Sequence, residues 1–127
     1  MTTKIQDRPK SFLIVDDEPL IRMELAQIVH DCGLEALEAC DTAQALTLLD
    51  SRGEEIAGLI TDINMPGTRS GIVLAKHVNY IWPHIRIIVV SGAKRPIPGD
   101  LPECTEFLSK PFPLPRLVAT IKSLSGH

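Results

Sequence analysis

No apolar run in this chain approaches the roughly 20 residues needed to cross a bilayer, and the N-terminal "MTTKIQDRPK" has no hydrophobic core of the kind a secretory leader carries. A membrane protein is thereby excluded at this level, and a cytoplasmic location is expected. Basic clusters are equally scarce. Of 13 basic residues only Lys94 and Arg95 adjoin, against 16 acidic residues and a net charge of -3. The positive footprint of a nucleic-acid binder is therefore missing, so no direct nucleic-acid partner is expected. Cys32, Cys40 and Cys104 are odd in number, form no C-x-x-C, and stand out of ligand phase with His30, His77, His84 and His127. Neither a disulfide framework nor a zinc site is expected, and the cysteines read as reduced, mostly buried small hydrophobes. Linkers, internal repeats and low-complexity segments are also missing. The expectation is one domain, 11–127, behind a polar tail, 1–10. A chain of 127 residues suffices to bury roughly two thirds of the unfolded surface.

What the chain does contain is a strict alternation. Short apolar runs at Phe12 to Val15, Leu34 to Ala39, Ala57 to Thr61, Arg86 to Val90 and Glu106 to Leu108 predict strands. Between them run stripes at helical spacing. The first is Ile21, Leu25, Ile28, Val29 and Cys32, stopped by Gly33; the second is Ala45, Leu46, Leu48 and Leu49, opened by Asp41-x-x-Gln44 and stopped by Gly53. Leu74, Ala75, Val78 and Ile81 form a third, halted by Trp82-Pro83, and Leu114, Leu117, Val118, Ile121 and Leu124 a last one. Strand and helix repeated about five times specify an α/β fold, a doubly wound five-stranded parallel sheet with helices on both faces. In the interval "SGAKRPIPGDLPECT" Pro96, Pro98 and Pro102 oppose a regular helix, since an interior proline costs about 3 kcal/mol. The fourth helix is expected to be short or irregular.

In doubly wound sheets, ligands bind beyond the carboxyl ends of the strands. Asp16 and Asp17 follow the first strand, Asp62 the third, Ser91 the fourth, and Lys110 with Pro111 the fifth. Each has an ordinary reading: a helix-capping acid ahead of Pro19, a loop acid, a turn serine, a solvated lysine. Together they place three carboxylates, a hydroxyl and a lysine on one sheet edge. In a 2-1-3-4-5 strand order the first and third strands adjoin, and carboxylates about 4 Å apart repel by roughly 4 kcal/mol at an effective dielectric of 20. A divalent cation relieves that repulsion. Mg²⁺ suits such a site, because it takes one or two carboxylates and retains water or phosphate oxygens.

"LIVDDEP", "LITDINMPG", "IIVVSG" and "FLSKPF", in that order, resemble the receiver domain of two-component response regulators from Ser11 to about Leu124. That resemblance implies the flavodoxin-like order 2-1-3-4-5. It also implies that Asp62 is the phosphoacceptor, that Asp16, Asp17 and Asp62 hold Mg²⁺ with the backbone carbonyl of Asn64, and that Ser91 and Lys110 serve the transfer. Ser91 and Phe107 would be the switch pair, and Lys110–Pro111 a cis peptide. Two departures stand out. "MPGTRSG" has one residue more than the commonest pattern, and the stretch from Ser91 to Lys110 is short and proline-rich.

The expected function is that of a single-domain response regulator, phosphorylated on Asp62 by a histidine kinase or histidine phosphotransfer protein and signalling to an output protein as a monomer or weak dimer. It would be no enzyme beyond catalysing its own aspartyl phosphorylation and dephosphorylation. A phosphatase with an aspartyl nucleophile is the poorer reading, since the second acid such enzymes use is Asn64 here. A receiver-like module that binds partners without phosphorylation is the other alternative, and the intact Asp16, Asp17, Asp62 and Lys110 oppose it.

Overall fold

The computed structural model describes residues 11–63, 71–91, 101–102, 105–110 and 113–125. Five strands, β1 (Ser11–Val15), β2 (Glu35–Ala39), β3 (Ile56–Asp62), β4 (Arg86–Ser91) and β5 (Glu106–Ser109), form one sheet in the order β2-β1-β3-β4-β5. All neighbours pair in parallel. Four α-helices are found among the described residues: α1 (Pro19–Asp31), α2 (Thr42–Arg52), α3 (Gly71–Ile81) and α4 (Leu114–Ser125). The expected α/β class and strand order are both observed, with strand ends within two residues of those read from the apolar runs. No helix among the described residues is long and apolar enough to cross a membrane.

Strand alternation divides the core in two. Leu13, Val15, Leu59, Ile87 and Val89 face one side, where they pack with Ala45 and Leu49 of α2 and Leu74, Ala75 and Val78 of α3. Phe12, Ile14, Ile60, Ile88, Val90 and Leu108 face the other, against Leu25 and Val29 of α1 and Leu117 and Ile121 of α4. Because both faces are covered, β1 is buried along its whole length, which is why it reads as an unbroken apolar run rather than an alternating one. Gly58 lies opposite Phe12 in the β1–β3 register, and a Cβ there would collide with the Phe12 ring.

The local stops are those the sequence specifies, with small differences in detail. Asp41 caps α2 by accepting the Gln44 N–H at 2.8 Å, while the Gln44 side chain reaches one residue further back than a standard capping box, to the N–H of Cys40 at 2.9 Å. Gly33 follows α1 at φ +85°, a left-handed conformation that favours glycine. Ile81 and Leu114 are in phase with the helical stripes by spacing, yet are 48% and 54% exposed, because each sits at a helix end. Cys32 and Cys40 are free thiols but half-buried rather than buried, since both lie in connections at the ends of elements. The Leu124 side chain, Cys104 and the expected short or irregular fourth helix lie outside the described residues.

Candidate functional site

Asp16 leaves β1 as a buried acid, 1% exposed, and its main chain and one carboxylate oxygen are fully engaged. Its N–H donates to the Ala39 carbonyl at 3.2 Å, its own carbonyl accepts Nη1 of Arg22 at 3.0 Å, and Oδ1 accepts the Glu18 N–H at 2.9 Å. The expected aspartate cap of α1 is thus displaced. Glu18 occupies the cap position without a side-chain bond, and Asp16 secures the turn that precedes it. The second carboxylate oxygen, Oδ2, is buried with no hydrogen-bond partner among the described residues. Burial chiefly pushes the Asp16 carboxyl above its usual range; the Glu18 N–H and Lys110 oppose that rise, and the Asp62 and Asp17 carboxylates add to it. Asp17 itself is exposed.

Asp62 ends β3 beside it. Its Oδ2 lies 3.3 Å from Nζ of Lys110, in a pair whose side chains are only 28% (Lys110) and 16% (Asp62) exposed. The Lys110 N–H donates to the carbonyl of Ser91 at 2.9 Å. This bond ties the residue after β5 to the end of β4, and Ser91 is 2% exposed. Parallel register sets Val90 opposite Asp62, so Ser91 stands one residue beyond it; it also sets Val89 opposite Phe107 and Ser91 opposite Ser109. Ser91 and Phe107 therefore share a face, and Phe107 packs half-buried on the α2–α3 core. Asp16, Asp17, Asp62, Lys110 and Ser91 are brought to one edge. Asn64 and Pro111 lie outside the described residues, and so does the loop in which the extra residue of "MPGTRSG" falls.

Among the described residues no three Asp, Glu, His or Cys side chains form a metal-holding group by themselves. A partnerless carboxylate oxygen, buried where two further carboxylates act on it, nonetheless fits a hard cation of the Mg²⁺ type, which takes one or two protein carboxylates and fills its octahedron with water or phosphate.

Two residues to which the sequence reading gave no site role belong to this region. Gly71 opens α3 against the end of β3: its N–H donates to the Ile63 carbonyl at 2.9 Å, and a Cβ there would fall on the carbonyl oxygen of Asp62. Arg22 grips the Asp16 carbonyl. The sequence signals for Gly71 were its place at the end of "MPGTRSG" and ahead of an apolar helical stripe; for Arg22 the signal was a cation in the first turn of a helix, where the dipole disfavours one.

The site is thus an acidic pocket at the carboxyl edge of a five-stranded doubly wound sheet, with an acid after β1, a second acid at the end of β3 and a lysine after β5 paired to it. The response regulator receiver domain profile matches residues 12–122, and the chain belongs to that family. It is 31% identical over 119 residues to the response regulator receiver protein CpdR of Brucella abortus, covering 91% of this chain and 96% of that one. To the sensor kinase CckA of Brucella abortus it is 31% identical over 115 residues, 88% of this chain and 12% of that protein. The chain spans about half the length or less of several curated relatives it matches. Among solved structures, the receiver domain of PhyR from Erythrobacter litoralis superposes with a TM-score of 0.79 at 26% identity, covering 91% of this chain and 89% of that one.

Proposed function

We propose that this receiver domain is a phosphoacceptor of a two-component phosphorelay, acting in the cytoplasm, with Asp62 as the residue phosphorylated. The observation that carries the reading is the Asp62–Lys110 pair at 3.3 Å, set at the strand ends beside the orphaned oxygen of Asp16. A carboxylate of Asp62 attacks the phosphorus of a phosphohistidine on a histidine kinase or phosphotransfer protein; the N–P bond breaks and an aspartyl phosphate forms. Lys110 neutralises charge on the transferring oxygens, and the ends of the four strands hold the acceptor in line for attack. Asp16 and Asp17, with Asp62, would hold Mg²⁺, which supplies further neutralisation of the phosphoryl charge. Hydrolysis of the aspartyl phosphate resets the domain, so its catalysis is confined to its own phosphorylation state.

Leu20, Met23 and Leu114, 79%, 58% and 54% exposed, stand on α1 and α4 near this edge and offer apolar contact to the phosphodonor. Phosphorylation adds about -1.5 to -2 charge at Asp62, and the signal is read as a shift between two conformations in which Ser91 and Phe107 take part. Incubation with acetyl phosphate and Mg²⁺, followed by intact mass, should add one phosphoryl group to the wild type and none to Asp62→Asn. Labelling that persists in the variant would move the acceptor elsewhere.

A further inference from the structure

Arg22 stands in the first turn of α1, at the positive end of the helix dipole, with no acid in that turn to offset it. Its side chain is nevertheless only 18% exposed and is held at two points. Nε donates to Oε1 of Glu38 at 3.0 Å, and Nη1 donates to the main-chain carbonyl of Asp16 at 3.0 Å. Glu38 is one residue from Ala39, whose carbonyl accepts the Asp16 N–H. The end of β2 therefore grips Asp16 twice, directly from Ala39 and indirectly through Glu38 and the guanidinium. With Oδ1 committed to the Glu18 N–H, the peptide planes on both sides of Asp16 and one carboxylate oxygen are restrained, and Oδ2 alone is left without a partner.

We infer that Arg22 and Glu38 form a brace that sets the direction of the Asp16 carboxylate, making Arg22 a positioning residue for the cation and hence for phosphorylation of Asp62. The inference rests on the proposed phosphoacceptor reading. Direction matters here because the partnerless oxygen is buried: a carboxylate that rotates away loses contact with the cation and finds no water in exchange. A planar fork with donors on separate nitrogens satisfies both acceptors at once, whereas a lysine ammonium replaces the fork by a single point of charge. The brace crosses from α1 to β2, and among the described residues its hydrogen bonds reach the site at Asp16.

The test uses Arg22→Ala, Arg22→Lys, Glu38→Ala and Glu38→Gln in the whole chain. Glu38 is the safer position because its side chain is 39% exposed, so its variants remain informative if Arg22→Ala fails to fold. Mg²⁺ affinity by calorimetry should fall by about 10-fold in Arg22→Ala, the size typical of losing a group that orients a metal ligand. It should fall similarly in Arg22→Lys and less in Glu38→Ala, and Glu38→Gln, which keeps the acceptor oxygen, should restore it to within about twofold. Amide exchange gives a readout without metal or phosphodonor: the Glu18 N–H should exchange faster in Arg22→Ala and Glu38→Ala, and at the wild-type rate in Glu38→Gln. Wild type that binds Mg²⁺ while Arg22→Ala and Glu38→Ala bind it within twofold as tightly, with Glu18 exchange unchanged, overturns the brace and leaves the phosphoacceptor reading standing. A wild type that neither binds Mg²⁺ nor accepts phosphate overturns that reading itself.

Discussion

Asp16 is a buried acid whose ionised form the fold tolerates poorly. Because its carboxyl is raised by burial and by its neighbours Asp62 and Asp17, the folded protein holds that proton more tightly than the unfolded chain. Its contribution to stability is therefore present at low pH and lost as pH rises through the raised value. Asp16→Asn keeps an acceptor for the Glu18 N–H and turns the orphaned oxygen into an amide that can donate toward the carboxylates. Metal-free Asp16→Asn should thus be more stable than wild type at pH 7 by on the order of 1 kcal/mol. The gap should narrow as pH falls through the raised value and be largely closed by about pH 4, the ordinary carboxyl range of the unfolded chain. Thermal melts in chelator from pH 4 to 8 check this, and a gap that widens toward acid would contradict it.

At the scale of elements, the contact that most directly limits the site is between the start of α3 and the end of β3. Gly71 allows the helix to approach the Asp62 backbone so closely that any side chain would occupy the place of a carbonyl oxygen. Backbone cannot swing aside as a flexible side chain does, so Gly71→Ala must shift either the helix or the strand end. The expected cost is about 1 to 3 kcal/mol in denaturant unfolding. Acetyl phosphate labelling should also slow, because the displaced strand end carries Asp62, the proposed acceptor. If stability falls while the labelling rate remains that of the wild type, α3 has moved and β3 has not. Gly53 provides a second instance at the opposite end of the sheet, where a Cβ would meet Nε1 of Trp82 at 2.5 Å, and His84 Nε2 lies 3.0 Å from the Gly53 carbonyl oxygen. That pairing locks the α2–β3 turn to the α3–β4 turn and bears on stability, away from Asp62.

For the whole molecule, the sheet acts as a frame that brings together groups from distant parts of the chain. Lys110 and Asp62 are 48 residues apart and meet because β4 stands between their strands and the Ser91 carbonyl anchors the lysine backbone. A cation held by Asp16, Asp17 and Asp62 would bind only this assembled state. It should stabilise the fold by about 2.7 kcal/mol at a concentration 100-fold above its dissociation constant. Millimolar Mg²⁺ is accordingly expected to raise the melting temperature of the wild type. Asp16→Asn, which starts higher in chelator, should gain little, so the order of the two proteins reverses on adding the ion. A wild-type melting temperature indifferent to Mg²⁺ would remove the cation from the site.

The sequence by itself determined the α/β class, the number of strands and the places where chemistry-bearing residues leave the sheet; the order of strands in the sheet came from the resemblance to receiver domains and was observed in the structure. The first three follow from local properties: unbroken apolar runs for strands covered on both faces, helical stripes bounded by Gly33, Asp41 and Trp82-Pro83, and polar residues at strand ends. Only the tertiary structure decided which oxygen of Asp16 is committed and which is orphaned, that Arg22 and Glu38 hold the Asp16 turn, and that Gly71 lies against Asp62. It also decided that Ile81 and Leu114, in phase with buried stripes, end up exposed at helix ends. Periodicity specifies the face on which a residue lies; distance across the sheet, and whether a neighbour remains to cover that face, depend on how separate elements meet.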